Sequence, residues 1–294
     1  MPATSLLSAL RAAAAPLSPR HRRWRRLLAS LALDPDRLAP PIAAPAAGDF
    51  IVCGAPRTGT TLLAAMLYQP PAVVTAMEPW DGLRLAPAEL FASIRREIDE
   101  TGRLSGSKLD VGALSDGGRV DWAEADRRQV AVRVDGDYRL GVKWPAFWRY
   151  LPLLPATRFL VCLRHPREVV ASFRRVGGRL GQGFEYDVAF HRRMNRTLAG
   201  ATRDPAVRRV LLFDYVHSRI LPYLDRPNVL AVRYERWFTE PEALLDEIAA
   251  FLGAPLAQPP ARVRAREAPV ALAEEDERSL AELCTTARAL GYPP

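Results

Sequence analysis

Between Gly54 and Thr61 the chain reads Gly-Ala-Pro-Arg-Thr-Gly-Thr-Thr, and these are residues that can hold an oxyanion. The glycines allow a sharp turn that exposes backbone N–H groups, and Thr58, Thr60 and Thr61 add hydroxyl donors. Arg57 adds a permanent cation with a planar fork of donors. A continuously apolar stretch, Phe50 to Cys53, precedes the loop, and a run of helical character, Thr61 to Tyr68, follows it. Strand, loop and helix in that order aim amides and the positive end of a helix dipole at one point, which suits phosphate or sulfate.

Gly54 and Gly59 have the gap of a Walker A sequence, but Thr60 stands where its lysine belongs, which weakens an ATP- or GTP-dependent kinase reading. Instead, Pro56 to Leu63 resembles the 5′-phosphosulfate loop of sulfotransferases. The run Arg164-His165-Pro166-Arg167-Glu168-Val169-Val170-Ala171-Ser172 is similar to the 3′-phosphate segment of that family, an Arg-x-Pro followed by a serine. Arg164 ends a strand and Ser172 lies in the next helix, so both can reach one phosphate. Val229 to Glu235, with Glu240-Pro241 and Phe251-Leu252-Gly253 downstream, resembles the late strand and turn of the family and implies that Tyr234 lies near an adenine. Plainer readings stay open for each: threonines capping a helix, a strand-end salt bridge for Arg164, a packing role for Ser172, and a core aromatic for Tyr234.

The resemblance implies 3′-phosphoadenosine 5′-phosphosulfate (PAPS) as co-substrate, bound by Arg57, Thr58, Gly59, Thr60, Thr61, Arg164, Ser172 and Tyr234, with no metal. Transfer of a sulfuryl group needs charge stabilised on the leaving oxygen, a task that falls to Arg57 and the loop amides. Arginine cannot donate a proton at neutral pH, so its role is electrostatic. Glu78, in Met77-Glu78-Pro79-Trp80, follows the second apolar strand where some members of the family carry a catalytic glutamate. Its apolar neighbours are expected to raise its pKa and suit it to act as a base. A salt-bridging or helix-terminal glutamate is the plainer alternative. Lys143 resembles a lysine that contacts the sulfuryl group, with a surface lysine as the alternative. The histidines His165, His191 and His217 are less well placed as bases. The acceptor is expected to offer a hydroxyl or an amine and to be a small molecule, a carbohydrate or a glycolipid, recognised by Trp80, residues 101–136 and Gly177 to Tyr186.

These residues must be positioned by alternating strands and helices. Apolar runs at Ala72 to Ala76, Tyr138 to Lys143, Arg158 to Arg164 and Asn228 to Tyr234 read as strands. Helical spacing covers Pro87 to Glu100, Trp144 to Leu154, Arg167 to Val176, two stretches within Phe184 to Leu224, Pro241 to Leu252 and Ala271 to Leu290. Asp135-Gly136 predicts a hairpin joining Gln129–Val134 to the strand at Tyr138. The fold class expected is α/β, a three-layer α/β/α sandwich with a mostly parallel central sheet, like P-loop nucleotide hydrolases.

The 294 residues are enough for one principal domain, expected at 48–294, behind a basic arm and Pro/Ala linker at 1–47. The arm carries seven arginines against Asp34 and Asp36, a local excess of +5 in a chain of net charge +8. A solvated basic face on a short helix is the preferred reading of the arm. Peripheral contact with an anionic membrane is the alternative, and no nucleic acid partner is expected. Cys53, Cys162 and Cys284 do not make a disulfide framework, and no signal peptide or transmembrane helix is expected, so the location read from the sequence is cytoplasmic. A non-catalytic nucleotide-binding protein is the remaining alternative function.

Overall fold

The computed structural model describes residues 37–38, 41–104, 130–134, 136–186, 189–257 and 271–292. The basic arm, apart from a few linker residues, and most of the stretch 101–136 lie outside the described residues.

Five strands, β1 (Phe50–Gly54), β2 (Val73–Met77), β5 (Arg139–Lys143), β6 (Arg158–Leu163) and β7 (Val229–Arg233), form one sheet in the order β2-β5-β1-β6-β7. Every pairing in it is parallel. Strands β3 (Arg103–Leu104) and β4 (Val130–Ala131) form a separate antiparallel pair.

The period of two along each strand sorts the core into two layers. Phe50 and Val52 turn to one face with Leu160, Cys162 and Val232, where α1 (Thr60–Met66) and α6 (Pro241–Leu252) cover them through Leu63, Leu244 and Ile248. Ile51 and Cys53 turn to the other with Val74, Leu140, Val142, Phe159 and Val161. That face is covered by α2 (Pro87–Thr101), by a 3₁₀ turn at Pro145–Tyr150 and by α5 (Pro205–Ile220). A sheet buried on both faces explains why its strands read as unbroken apolar runs. The α/β/α layering is as expected from the sequence. Proline opens α2, α3 (Pro166–Val176), α5 and α6, at the position where a helix has no use for an N–H.

Three local expectations fail. The hairpin across Asp135-Gly136 does not form: β5 lies between β1 and β2, so both of its edges are taken by parallel neighbours, and β4 pairs with β3 instead. The stretch from Trp144 is a short 3₁₀ turn followed by further turns: all five residues from Ala146 to Tyr150 are buried, and one face of an α-helix cannot bury five consecutive residues. The C-terminal helix breaks into α7 (Glu274–Leu283) and a turn at Thr286–Ala289. Asp214 causes the break by accepting hydrogen bonds from the amides and hydroxyls of Thr285 and Thr286 at 2.7–3.0 Å.

The C-terminal helix is fastened by a buried ion pair. Asp276, fully buried, accepts from Arg209 Nε at 2.9 Å and from a terminal nitrogen at 2.6 Å, while Arg209 also donates to the Gly181 carbonyl at 2.6 Å. Removing one partner leaves a buried charge uncompensated. Asp276→Ala should therefore lower the unfolding free energy by about 3–5 kcal/mol, read as a fall in the urea midpoint. A loss below about 1 kcal/mol would show that solvent or the Gly181 carbonyl already satisfies Arg209.

Candidate active site

The carboxyl ends of the parallel strands share one edge, the usual ligand edge of such a sheet. Gly54 ends β1 and leads into the loop, Glu78 follows β2, Lys143 ends β5, Arg164 follows β6 and Tyr234 follows β7. All the candidate residues except Ser172 thus come from consecutive strand ends or the loop after β1, and Ser172 reaches the same edge from α3.

The loop turns tightly because its glycines permit it. Gly59 has φ +100°, and a Cβ there would stand 2.3 Å from the Tyr234 ring, so only glycine lets the loop rest on that ring. Thr58 is buried and its hydroxyl donates to the Ala55 carbonyl at 2.7 Å, bracing the turn from within. Thr60, also buried, starts α1, and Thr61 follows it half-exposed. Arg57 is exposed and adopts φ +69°, while Glu78 adopts φ +49°. These two are the non-glycine residues with positive φ among the described residues, and backbone strain of this kind gathers where function requires it.

Arg57 Nε donates to Ser172 Oγ at 3.0 Å, so the loop after β1 and helix α3 touch through the two side chains assigned to opposite ends of the nucleotide. Arg164 donates to the Arg57 carbonyl at 3.3 Å and to Glu168 at 3.0 Å, and its guanidinium lies 4.1 Å from the centre of the Tyr234 ring. Tyr234 is therefore the floor on which both Gly59 and Arg164 rest. Desolvation, and then the nearby Arg164 guanidinium, lower the Arg57 pKa from the ordinary arginine value. Two cations are held side by side, an arrangement that an anion between them would relieve.

On the other side of the loop, Lys143 is only 2 % exposed and forms an ion pair with Glu78, whose side chain is 25 % exposed. The Glu78 amide also donates to the Lys143 carbonyl at 2.8 Å. Glu78 thus meets an ammonium as well as the apolar neighbours read from the sequence, and an ammonium favours the ionised carboxylate.

The structure adds a residue that the sequence did not single out. Glu185 is 5 % exposed, its backbone is clasped by Asn195 through two hydrogen bonds of 3.0 Å, and its Oε2 accepts from the Tyr186 amide at 3.2 Å. Burial pushes its pKa up to about 7, and the charge of Glu78 adds to the rise, against the pull of Arg149 and Arg179. His191 lies beside it, Nδ1 being 3.9 Å from Oε2, with its pKa pulled down to about 3 by burial and Arg149. The other histidines serve elsewhere: His165 caps α3 through Nδ1, and His217 is buried against Phe213. Among the described residues no cluster of His, Cys, Asp and Glu suited to a metal ion is found, and no helix is long and apolar enough to cross a membrane.

The sulfotransferase family profile matches residues 49–258, which include every candidate residue above. The chain belongs to the sulfotransferase family. Nodulation protein NoeE from Sinorhizobium fredii is 32 % identical over 136 residues, a match covering 42 % of this chain and 30 % of NoeE, so the chain spans less than a third of that relative. Among solved structures, a sulfotransferase domain from the curacin biosynthetic pathway is 16 % identical with a TM-score of 0.46, the match covering 85 % of this chain and 99 % of that domain. A sulfotransferase from Alicyclobacillus acidocaldarius is 14 % identical with a TM-score of 0.46, over 86 % of this chain and 98 % of that one.

The buried Glu185 makes stability depend on pH. Its folded pKa lies above the ordinary glutamate value of 4.5, so the folded state holds the proton more tightly; that stabilisation is complete below about pH 4.5 and is lost as pH rises to about 7. Glu185→Gln keeps the shape and cannot ionise. Relative to it, the wild-type protein should lose unfolding free energy between pH 5 and pH 8, by on the order of 2–3 kcal/mol, read as a falling urea midpoint. The depressed histidines act in the opposite sense, losing stability as pH falls, and cancel in the comparison. A difference that does not change with pH would mean that Glu185 stays ionised throughout.

Proposed function

We propose that this sulfotransferase moves a sulfuryl group from PAPS to a hydroxyl of its acceptor, with Glu78 as base and Arg57 and Lys143 as the cations of the reaction. The observation that carries the reading is the 3.0 Å hydrogen bond from Arg57 to Ser172, made across 115 residues of sequence. It joins the loop suited to the 5′-phosphosulfate to the segment suited to the 3′-phosphate.

In this reading Gly59, Thr60 and Thr61 offer their amides to the 5′ end of the donor, Thr58 holds the loop in shape through its amide and hydroxyl on the Ala55 carbonyl, and Arg164 and Ser172 take the 3′-phosphate. Arg57 supplies fixed positive charge where the leaving phosphate gains negative charge, with no proton to move. Glu78, paired with Lys143, accepts the proton of the acceptor hydroxyl, and Lys143 offsets charge on the transferring oxygens. These cations belong to the protein, and none of the roles calls for a metal. Tyr234 is assigned to the adenine end, with its ring under Gly59 and Arg164 as the supporting contact. A carbohydrate or glycolipid hydroxyl is the acceptor class proposed, from the glutamate base. A cytoplasmic location, with the basic arm at a membrane surface, accompanies the glycolipid case.

Thermal unfolding tests the nucleotide site: 3′,5′-ADP should raise the melting temperature clearly and 5′-AMP much less, and Arg164→Ala should abolish the difference. Equal shifts from the two nucleotides would remove the 3′-phosphate site, and tighter binding of Mg-ATP than of 3′,5′-ADP would restore the kinase reading.

The base is tested with radiolabelled PAPS and fractionated extract as the source of acceptor. Glu78→Gln should lower turnover by about a hundredfold or more while 3′,5′-ADP binds as before. Unchanged turnover would remove Glu78 as the base, and absence of transfer by the wild-type protein would return it to a nucleotide-binding role.

A further inference from the structure

Away from the strand ends, the 3₁₀ turn at Pro145–Tyr150, α4 (Ala189–Ala201) and α5 meet around a hollow of about 290 Å³ lined by Trp148, Arg149, Arg193, Tyr215 and Arg219. Three of the five are arginines and none is acidic. Arg149 already faces Glu185, so it is the like charges of the exposed Arg193 and Arg219 across the hollow that an anion in it would relieve.

Two of the guanidiniums are held in place. Arg149, 5 % exposed, lies 4.8 Å from the centre of the Trp148 ring. Arg219 lies 3.4 Å from the centre of the Tyr215 ring, one helical turn before it, and donates to the Tyr215 carbonyl at 3.0 Å and to Ser218 Oγ at 3.4 Å. Arg193 comes from the neighbouring helix and is exposed. Arg193 and Arg219 form no ion pair among the described residues. Elsewhere in the helical layer the arginines do find carboxylates: Arg167 reaches Glu277, Arg209 reaches Asp276 and Arg236 reaches Glu240 and Glu247.

We propose that this hollow is a second anion site, separate from the nucleotide loop, that takes a single oxyanion group such as a carboxylate or phosphate. Each ring already has one face against a guanidinium, so recognition rests on the forks of donors, which match the two oxygens of such a group. The volume is at the small end for ligand pockets and admits one ring-sized molecule or an anionic substituent of a larger one. Arg149 forms the inner wall and acts electrostatically on Glu185 and His191 as well, so an anion bound here shares a cation with the Glu78 side of the active edge.

The oxyanion has two sources, a free inorganic ion or the acidic group of a sugar, and calorimetric titration of the full-length protein distinguishes them. The protein is first saturated with 3′,5′-ADP to occupy the nucleotide loop, then titrated in chloride-poor buffer with inorganic phosphate and, separately, with glucuronate. Saturable binding is expected, and the doubly substituted variant Arg193→Gln/Arg219→Gln should bind at least tenfold more weakly while keeping its affinity for 3′,5′-ADP. Tighter binding of glucuronate assigns the site to an acidic sugar, and tighter binding of phosphate assigns it to a free ion. Arg193→Gln alone, at an exposed helical position, should weaken binding about threefold and guards against misfolding of the double variant. Binding that is absent for both probes, or unchanged in the variants, overturns the proposal. Failure of 3′,5′-ADP to bind would instead count against the proposed function, and the dependence of anion binding on Arg193 and Arg219 would still report on this hollow.

Discussion

A lysine ammonium buried at the end of a central strand has to meet an opposite charge, and much of the active edge follows from how this chain arranges that. Lys143 ends β5, between β1 and β2, at 2 % exposure. An isolated charge there is too unfavourable to persist, so a carboxylate must come to it. Glu78 arrives from the end of β2, the strand registered against β5, in which Met77 lies opposite Lys143. To turn back over the strand end it takes a left-handed backbone, φ +49°, which the hydrogen bond donated by its amide to the Lys143 carbonyl holds in place. Sheet register, buried charge and strained turn form a single constraint.

A second constraint operates on the other side of β1. Arg57 and Arg164 converge with Tyr234 beneath them, and each cation is positioned before any ligand arrives: Arg57 by Ser172, Arg164 by Glu168 and by the Arg57 carbonyl. Preorganised charge is effective because little reorganisation remains when the anion binds. The C-terminal segment contributes from behind. Tyr292 bonds Glu235 at 3.1 Å, Glu235 accepts from the His165 amide at 2.7 Å, and the turn carrying Arg164 is thereby tied to the chain's last described residues, beyond the segment matched by the family profile.

How much of this was legible in the sequence depended on whether the cause was local. The buried parallel strands were legible because burial on both faces leaves an unbroken apolar run, as in Phe50 to Cys53. Helix starts at Pro87, Pro166 and Pro241 were within a residue of expectation because proline fixes them locally. The hairpin at Asp135-Gly136 misled because a good turn signal says nothing about which edges of the following strand are already occupied. Glu78, Lys143, Arg164 and Tyr234 are placed at strand ends because each closes or follows a largely apolar run, and Arg57 is placed by the Gly-containing loop that follows the first of them. Glu185 left no such trace. It lies in an irregular stretch before α4, and its importance comes from burial and from Glu78 and Arg149, more than thirty residues away in sequence. The arginines of the second hollow were hidden for the same reason, since a chain with 41 basic residues offers many candidates and only tertiary packing selects three.

The Lys143–Glu78 pair also bears on how a base held in a salt bridge can do its work. Beside an ammonium a carboxylate stays ionised, which a base requires, but the same neighbour lowers its affinity for the proton it is to receive. On the proposed assignment the conflict is resolved by sharing Lys143 between two partners. When a negatively charged sulfuryl group is brought to the strand ends, Lys143 divides its attraction between those oxygens and Glu78. As the hold on Glu78 loosens, the carboxylate is freer to take the acceptor proton at the moment when it has to leave. Proton removal and charge stabilisation are then joined through one buried lysine, and this gives a reason for keeping a charge where an apolar side chain would pack at lower cost.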